Sequence, residues 1–318
     1  MQRHVPDAKR TARATDSGDA LWGRIREEAQ IESRAEPALA SFLFSTVLAH
    51  DRLEQSLAFL LANKMASPTL LATQVMELIN GVFEEDPQVA HACREDLKAC
   101  YDKDPACSRY VDAMIHFKGF QAIQCHRIAH HLYGNGRRAL ALMLQSRVSE
   151  LFQVDIHPGA VLGEGILIDH ATGVVIGETA KVGNGCTVRP SSIPGLQLPA
   201  VGAFSDGALT STRENTRART QQILHHVTLG GSGTNAGKRH PTLGDGVLVG
   251  AGATLLGPID VGHGARIGAG SLVLIDVPQN RTAVGVPAKI LGAESSVPAA
   301  EVMDQTGYIS DYEQDWVI

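Results

Sequence analysis

Residues 243–273 read LGDGVLVGAGATLLGPIDVGHGARIGAGSLV. An aliphatic residue returns at every sixth position, at Leu243, Val249, Leu255, Val261, Ile267 and Val273. Glycine follows at Gly244, Gly250, Gly262 and Gly268. A period of six fits neither the helical repeat of about 3.6 nor the strand repeat of about 2. It is the mark of a parallel β-helix, in which each hexad forms one flat side of a coil. The aliphatic residue points into the coil and stacks on its neighbours. The glycine allows a tight corner that a Cβ would strain.

Working outward, the same beat begins at Ile156 and passes Leu162 and Ile168. It steps eight residues to Ile176 and continues to Val182. It is then broken by Val188 to Gln222, a 35-residue stretch with three prolines, three glycines, one aromatic (Phe204) and many Ser, Thr and Arg. That composition reads as a loop or a disordered segment. Ile223 lies 41 residues past Val182, out of phase, and removing the stretch places it six residues on. Two origins stay open. One is a surface loop. The other is a retained intron, since every valine codon begins GT and glutamine can be CAG. If present, the insert splits the coil carrying Thr187 and His225, between His170 and the Arg239-His240 loop, and is expected to harm the apolar column and the activity.

The preceding region, residues 19–150, reads helical. Apolar residues from Ser41 to Leu61 fall at three- and four-residue spacings, with Pro68, Gly81, Pro87 and Pro105 as punctuation. Residues 1–18 carry Arg3, Lys9, Arg10 and Arg13 but also Asp7 and Asp16, and read as a disordered tail rather than a transit peptide. Residues 293–318 contain no hexads and read as a flexible, acidic tail ending Trp316-Val317-Ile318. The expected fold is therefore α+β: a helical N-terminal domain, then a parallel β-helix over residues 151–292.

Bulk properties narrow the function. The chain has 318 residues and a net charge of −6, which argues against a nucleic-acid-binding surface. No apolar run approaches membrane-spanning length. Five cysteines without a CxxC pair argue against a disulfide framework or zinc knuckle and fit a reducing compartment. His126 and His130 have the i, i+4 spacing of a metal site, but no third ligand accompanies them, which favours a partly polar helix face.

The chemistry-bearing blocks are Asp104-Pro105-Ala106, His116-Phe117-Lys118-Gly119-Phe120-Gln121-Ala122, Val154-Asp155-Ile156-His157-Pro158, Ile168-Asp169-His170-Ala171-Thr172-Gly173-Val174-Val175-Ile176-Gly177-Glu178-Thr179, His225-His226-Val227-Thr228-Leu229-Gly230-Gly231 and Lys238-Arg239-His240-Pro241. Together they resemble the serine O-acetyltransferases, in a plant-like version, over about residues 20–292 and the last few residues. The resemblance implies a left-handed β-helix with three hexads per coil, assembled as a trimer or a dimer of trimers. It implies transfer of acetyl from acetyl-CoA, a co-substrate rather than a resident cofactor, to L-serine in cysteine synthesis. His170 matches the family's catalytic base, Asp155 its partner carboxylate, and His240 a second active-site histidine. Asp104 and Asp169 match the carboxylates that hold the serine amino group, and Arg239 the group that holds its carboxylate. Gly231, Ala251 and Ala269 match small residues lining the acetyl-CoA groove. Arg266 and Lys289 are candidates for its phosphates, and a backbone amide near Gly231 for the oxyanion. The terminal Ile318 matches the residue that docks O-acetylserine sulfhydrylase.

Three other functions bear weighing. A catalytically weak regulatory subunit would keep the C-terminal docking and lose turnover. A hexapeptide-fold carbonic anhydrase would need three histidines sharing a zinc across coils. A sugar acyltransferase would not need the set Asp104, Asp169 and Arg239, which suits a zwitterionic amino acid. The expected compartment is the cytoplasm, with plastid or mitochondrion as alternatives.

Overall fold

The computed structural model describes residues 19–185, 221–233 and 237–291. The tails 1–18 and 293–318, with Ile318, lie outside the described residues, as does most of the insert.

Eight α-helices come first among the described residues: α1 (Ala20–Ala35), α2 (Ala40–Leu43), α3 (Leu53–Met65), α4 (Ala72–Glu85), α5 (Pro87–Lys103), α6 (Tyr110–His116), α7 (Lys118–Gly134) and α8 (Arg138–Phe152). Pro87 opens α5 at a position where its missing N–H costs nothing, and the Asp86 side chain caps the Gln88 amide at 3.0 Å. Gly81 does not break a helix as expected. It lies inside α4, whose apolar face (Val75, Ile79, Val82, Phe83) is buried. That burial outweighs a glycine penalty of about 1 kcal/mol. α7 is buried nearly all round, from Gly119 to Leu132. Cys93 and Cys100 sit on the buried side of α5, and they, Cys107 and Cys125 are free and buried. Among the described residues no helix is long and apolar enough to cross a membrane.

The β-helix follows. Its strands are β1 (Val154–Ile156), β2 (Val161–Leu162), β3 (Ile166–Ile168), β4 (Val174–Ile176), β5 (Lys181–Val182), β6 (Gln221–Ile223), β7 (Thr228–Gly230), β8 (Thr242–Leu243), β9 (Leu248–Val249), β10 (Thr254–Leu256), β11 (Asp260–Val261), β12 (Arg266–Ile267), β13 (Leu272–Val273), β14 (Thr282–Gly285) and β15 (Ala288–Leu291). They stack into three faces. The first face runs β1-β4-β7-β10-β13, the second β2-β5-β8-β11, and the third β3-β6-β9-β12-β14-β15. Every pairing is parallel except the closing hairpin β14–β15.

The register reproduces the hexad reading residue by residue. Ile156, Ile176, Leu229, Leu255 and Val273 stack on the first face. Leu162, Val182, Leu243 and Val261 stack on the second, and Ile168, Ile223, Val249, Ile267 and Ala283 on the third. All but the half-buried Leu162 are 3% exposed or less.

The column is unbroken with the insert in the chain, contrary to the expectation that the insert harms it. Gln221 and Gln222, expected inside the insert, form β6 and pair with Ile166 and Leu167. They take the register that excision would give to Cys186 and Thr187. The coil also closes around the interruption, since β5 pairs with β2 and β8 while β6 pairs with β3 and β9. Residues 186–220 fall in sequence between β5 of the second face and β6 of the third. That interval is neither the corner of His170 (third to first) nor that of Arg239 and His240 (first to second).

Two contacts lock the helical domain onto the first coil. The side chain of Asp96 is fully buried and accepts from Arg127 Nε and Nη2 (both 2.8 Å), Gln124 Nε2 (3.0 Å) and the Ile166 amide (2.9 Å). Arg127 Nη2 also donates to the Gly163 carbonyl at 2.7 Å. At the start of α7, a Cβ on Gly119 would lie 2.0 Å from the Ile168 carbonyl oxygen, so only glycine lets the helix approach β3 this closely.

Deleting residues 188–222 is expected to leave the β-helix folded, with Cys186-Thr187 taking the place of Gln221-Gln222. Loop-closure entropy of about 3 kcal/mol is released. The melting temperature should rise; a deletion protein that fails to fold, measured by circular dichroism, would make the segment integral to the coil.

Candidate active site

The eight-residue step between Ile168 and Ile176 is where the first half of the site lies. Two residues more than a hexad are accommodated by a corner in which His170 (φ 53°) and Ala171 (φ 57°) both adopt the left-handed conformation. This is costly for residues with a Cβ, and such strain concentrates at functional sites. Ala171 is fully buried, while 76% of the His170 side chain is exposed. The corner is cinched by Ala171 N–H to Asp169 O and Thr172 N–H to His170 O, both 2.6 Å.

The helical domain faces this corner across a cavity of about 250 Å³ lined by Asp104, His116, Phe117, Lys118, Asp169 and His170, among others. Asp104 ends α5, and its Oδ1 accepts from the Ala106 amide at 2.8 Å. Asp169 Oδ1 lies 3.5 Å from His170 Nε2. The Asp169 carboxyl is pushed above its ordinary range by burial, opposed by the nearby His170 and reinforced by the Asp104 carboxylate. Two carboxylates facing one small cavity make a seat for a cation. Lys118 Nζ donates to Thr172 Oγ1, tying α7 to the strained corner.

Asp155 does not join His170. Its Oδ1 accepts from Gln145 Nε2 of α8 at 2.6 Å, and no hydrogen bond or ion pair links it to the imidazole. His225, singled out only as part of a motif, stands two residues past Ile223 as His170 stands two past Ile168. The rings are 6.1 Å apart, and His225 Nδ1 is 3.1 Å from His226 Nδ1. The same register position on the next coils is held by Ala251 and Ala269. One corner therefore carries His170, His225, Ala251 and Ala269 in line.

The second half of the site lies at the corner between first and second faces. Arg239 Nη2 bonds Glu178 Oε2 at 2.5 Å. Thr179 Oγ1 accepts from the Arg239 and His240 amides at 3.1 and 3.2 Å. The Thr179 amide donates to His240 Nδ1 at 3.2 Å. A backbone N–H can only donate, so Nδ1 is the acceptor and Nε2 carries the proton of the neutral ring. Burial, aided by the Arg239 charge, holds His240 below its ordinary value. The ring lies over two glycines: a Cβ on Gly177 would sit 2.0 Å from Nε2, and one on Gly231 would sit 3.0 Å away. Gly231 thus seats His240 and is not in line with Ala251 and Ala269. Arg266 is on the third face, in register with Leu248 and Thr282. Lys289 lies exposed on β15.

The two halves are not adjacent within one chain. Gly173 and Gly177 bound the first face, four residues apart, or about 13 Å at roughly 3.3 Å per residue.

Of the i, i+4 pair on α7, His126 is buried and His130 half-buried. His130 Nδ1 meets the Pro158 carbonyl at 2.8 Å, and His126 Nδ1 is buried without a partner. Among the described residues no group of three His, Cys, Asp or Glu is placed to hold a metal ion.

Comparison with known proteins defines the class. The model of the serine acetyltransferase N-terminal family matches residues 21–125, and that of the bacterial transferase hexapeptide family (six repeats) matches residues 240–274. Serine acetyltransferase 2 of Arabidopsis thaliana is 48% identical, over 86% of this chain and 74% of that protein. The structure is similar to a serine acetyltransferase of Neisseria gonorrhoeae (45% identity, TM-score 0.75, 90% of this chain and 97% of that one). It is also similar to a soybean serine acetyltransferase solved in complex with serine (48% identity, TM-score 0.72, 85% and 97%). The fold is a left-handed hexapeptide β-helix behind a helical domain, as in this class of acyltransferases. The chain belongs to the serine acetyltransferase family.

Sequence reasoning did not single out Gln145, and it gave no role to Glu178 and Thr179. The last two stand beside Ile176-Gly177 in the quoted repeat, but nothing in a hexad shows that they reach Arg239 and His240 one coil on.

Three histidines, His126, His157 and His240, are held below the ordinary 6.5, each first by burial. The native state therefore binds their protons less readily than the unfolded chain. Stability is complete above about 6.5 and is lost as pH falls below it toward the native values. Asp169, raised from 3.8, acts in the opposite sense at lower pH. The urea midpoint should fall between pH 8 and pH 5.5, with a shallower fall in His126→Gln; a midpoint independent of pH would contradict this.

Proposed function

We propose that this chain transfers acetyl from acetyl-CoA to L-serine, giving O-acetylserine. The observation that carries this is the convergence of Asp104, Asp169 and His170 on one cavity, two carboxylates for an ammonium beside an exposed imidazole. The serine ammonium sits between Asp104 and Asp169, which brings its hydroxyl to His170. His170 takes the hydroxyl proton as the oxygen attacks the thioester carbonyl. The tetrahedral intermediate collapses, the C–S bond breaks, and the imidazolium returns the proton to the CoA thiolate. With most of its side chain in solvent, His170 is free to turn toward Asp155, the carboxylate that would stabilise the imidazolium.

Arg239 takes the serine carboxylate and His240 Nε2–H offers a donor beside it. Because these two lie on the far corner of the first face, the complete site combines His170 of one copy with Arg239 and His240 of a neighbour. Three copies around an axis satisfy all three sites at once. The acetyl-CoA arm would follow the corner of His225, Ala251 and Ala269 away from His170, with Gly231 contributed by the neighbour and Arg266 and Lys289 available to phosphates. Four buried free cysteines suit a reducing compartment, and we place the activity in the cytoplasm, with plastid or mitochondrion as alternatives.

His170→Ala is expected to lower turnover by about 10² to 10⁴. Arg239→Ala should be inactive at ordinary serine concentrations. Mixed trimers of the two variants should recover up to about one quarter of wild-type activity, the chance that two intact halves meet at one interface. Recovery no greater than the sum of the variants would place the whole site in one chain.

The C-terminal residues extend this reading to a partner. Trp316-Val317-Ile318, following Asp311, Glu313 and Asp315, is an apolar segment after an acidic one, suited to capture by an apolar pocket. We assign O-acetylserine sulfhydrylase as that partner. Removing Ile318 should abolish co-purification and spare acetyl transfer. Turnover of acetyl-CoA with serine separates the enzyme from a purely regulatory subunit.

A further inference from the structure

Apart from the cavity of Asp104 and His170, a second one of about 250 Å³ opens at the seam between the helical domain and the first coils. Its wall includes Asp86 ahead of α5, Val89 of α5, His126 and Arg127 of α7, and Leu162 and Glu164 of the β-helix. His126 is 4% exposed, and its Nδ1 is buried with no hydrogen-bond partner among the described residues. Buried polar atoms nearly always find a partner, so an orphan in a ring that walls a cavity calls for one. The Ala160 backbone carbonyl bonds this ring. A carbonyl only accepts, so Nε2 carries the proton of the neutral ring and Nδ1 presents a bare lone pair. Burial, aided by His130 and Arg127, keeps His126 well below its ordinary value, so the lone pair persists at neutral pH. The Arg127 guanidinium is committed to Asp96 and to the Leu162 and Gly163 carbonyls. Among the described residues the ion-pair partners of Glu164 and Asp86 are histidines, His91 at 3.3 Å and His131 at 3.4 Å, which are charged only when protonated. The cavity therefore offers acceptors and carboxylates, and it lacks a donor.

The geometry points to a second, non-catalytic binding site in this cavity, whose ligand is a short linear amino alcohol with its hydroxyl inward and its ammonium outward. The hydroxyl donates to His126 Nδ1; beside the Arg127 charge a neutral donor is a better match than a second cation. The ammonium meets the Glu164 and Asp86 carboxylates in charge-assisted hydrogen bonds. The methylene chain lies against Val89 and Leu162. A water's share of volume is about 30 Å³, so the cavity has room for a chain of about four carbons with both polar ends. L-Serine suits the site poorly, because the lining holds no lysine and no uncommitted guanidinium for its carboxylate. Glu164 stands just past the second face, at neither of the two corners that meet a neighbour in the trimer proposed above, so that contact leaves the cavity uncovered. A ligand here touches both domains beside the Asp96–Arg127 pair and reinforces their seating.

The test is calorimetric titration of linear aminobutanol into the full-length protein, beside butanediol, which lacks the ammonium, and butylamine, which lacks the hydroxyl. A dissociation constant on the order of 1 mM is expected for a ligand of so few atoms. Each analogue should bind about fivefold more weakly, the value of one hydrogen bond. Glu164→Gln should weaken aminobutanol binding about fivefold, as should His126→Phe, which fills the space without a lone pair. Asp104→Asn, which disables the ammonium seat of the active cavity, should leave the affinity unchanged. Should His126→Phe fail to fold, Glu164→Gln at the half-exposed rim carries the test alone. Absence of binding in wild type would overturn the proposal. So would binding that is lost in Asp104→Asn and unaltered in Glu164→Gln, because the ligand would then occupy the active cavity. Equal affinity for butanediol would overturn the assignment of an ammonium ligand, and equal affinity for butylamine the role of His126.

Discussion

The buried pair Asp96–Arg127 is the interaction from which the working arrangement follows. A β-helix has an apolar column with an open end, and a stacked-repeat protein needs a cap there. Here the cap is the helical domain, and the clasp fixes its placement. Both Asp96 oxygens are filled by Arg127, Gln124 and the Ile166 amide, and Arg127 spends its remaining reach on the first coil's carbonyls. Burying two charges is expensive, and their attraction repays it only when the charged groups are well matched, as both Asp96 oxygens and the Arg127 guanidinium are here. The return is positional. With α5 and α7 seated on β3, the end of α5 brings Asp104 opposite Asp169. The glycine at the start of α7 brings Phe117 and Lys118 against the strained corner.

That corner shows how a regular fold acquires chemistry. Most turns of the coil follow the hexad, with small residues or glycines at the bend. Between Ile168 and Ile176 two residues are added, and the chain absorbs them by placing two non-glycine residues in the left-handed region. Ala171 fills the interior, so the column stays packed, while His170 is turned out to solvent. The energy stored in the bend is supported by Lys118 and by the coils on either side, which pair normally.

The β-helix was legible in the sequence almost residue for residue, because a period of six leaves one way to bury an aliphatic column. The helical region was legible as helix, though Gly81 misled: an apolar face overrode a local breaker. The cluster of Asp104, Asp169 and His170 was recovered from motifs, since these residues are brought together by backbone register and a helix end. Other features were hidden. The Asp155 partner is Gln145, set by the packing of α8, which no repeat encodes. Gly231 matches a groove residue by resemblance, but that it also makes room for a ring from nine residues away was not legible. The end of the insert was misplaced by two residues, because shifting any 35-residue window leaves the phase unchanged and only strand pairing fixes where the coil resumes.

The three-sided coil also divides tolerance to change among its edges. One edge carries the base and the line of small residues below it. A second carries Arg239 and His240 over their two glycines. At the third, between second and third faces, the strands on either side are each held from above and below by neighbouring coils, so the ladder is intact with residues 186–220 between them in sequence. Growth there is nearly neutral to the architecture, whereas a single added residue at either of the other edges would turn a working side chain away. The prism thus offers evolution, or a protein engineer, one edge on which to write without erasing anything.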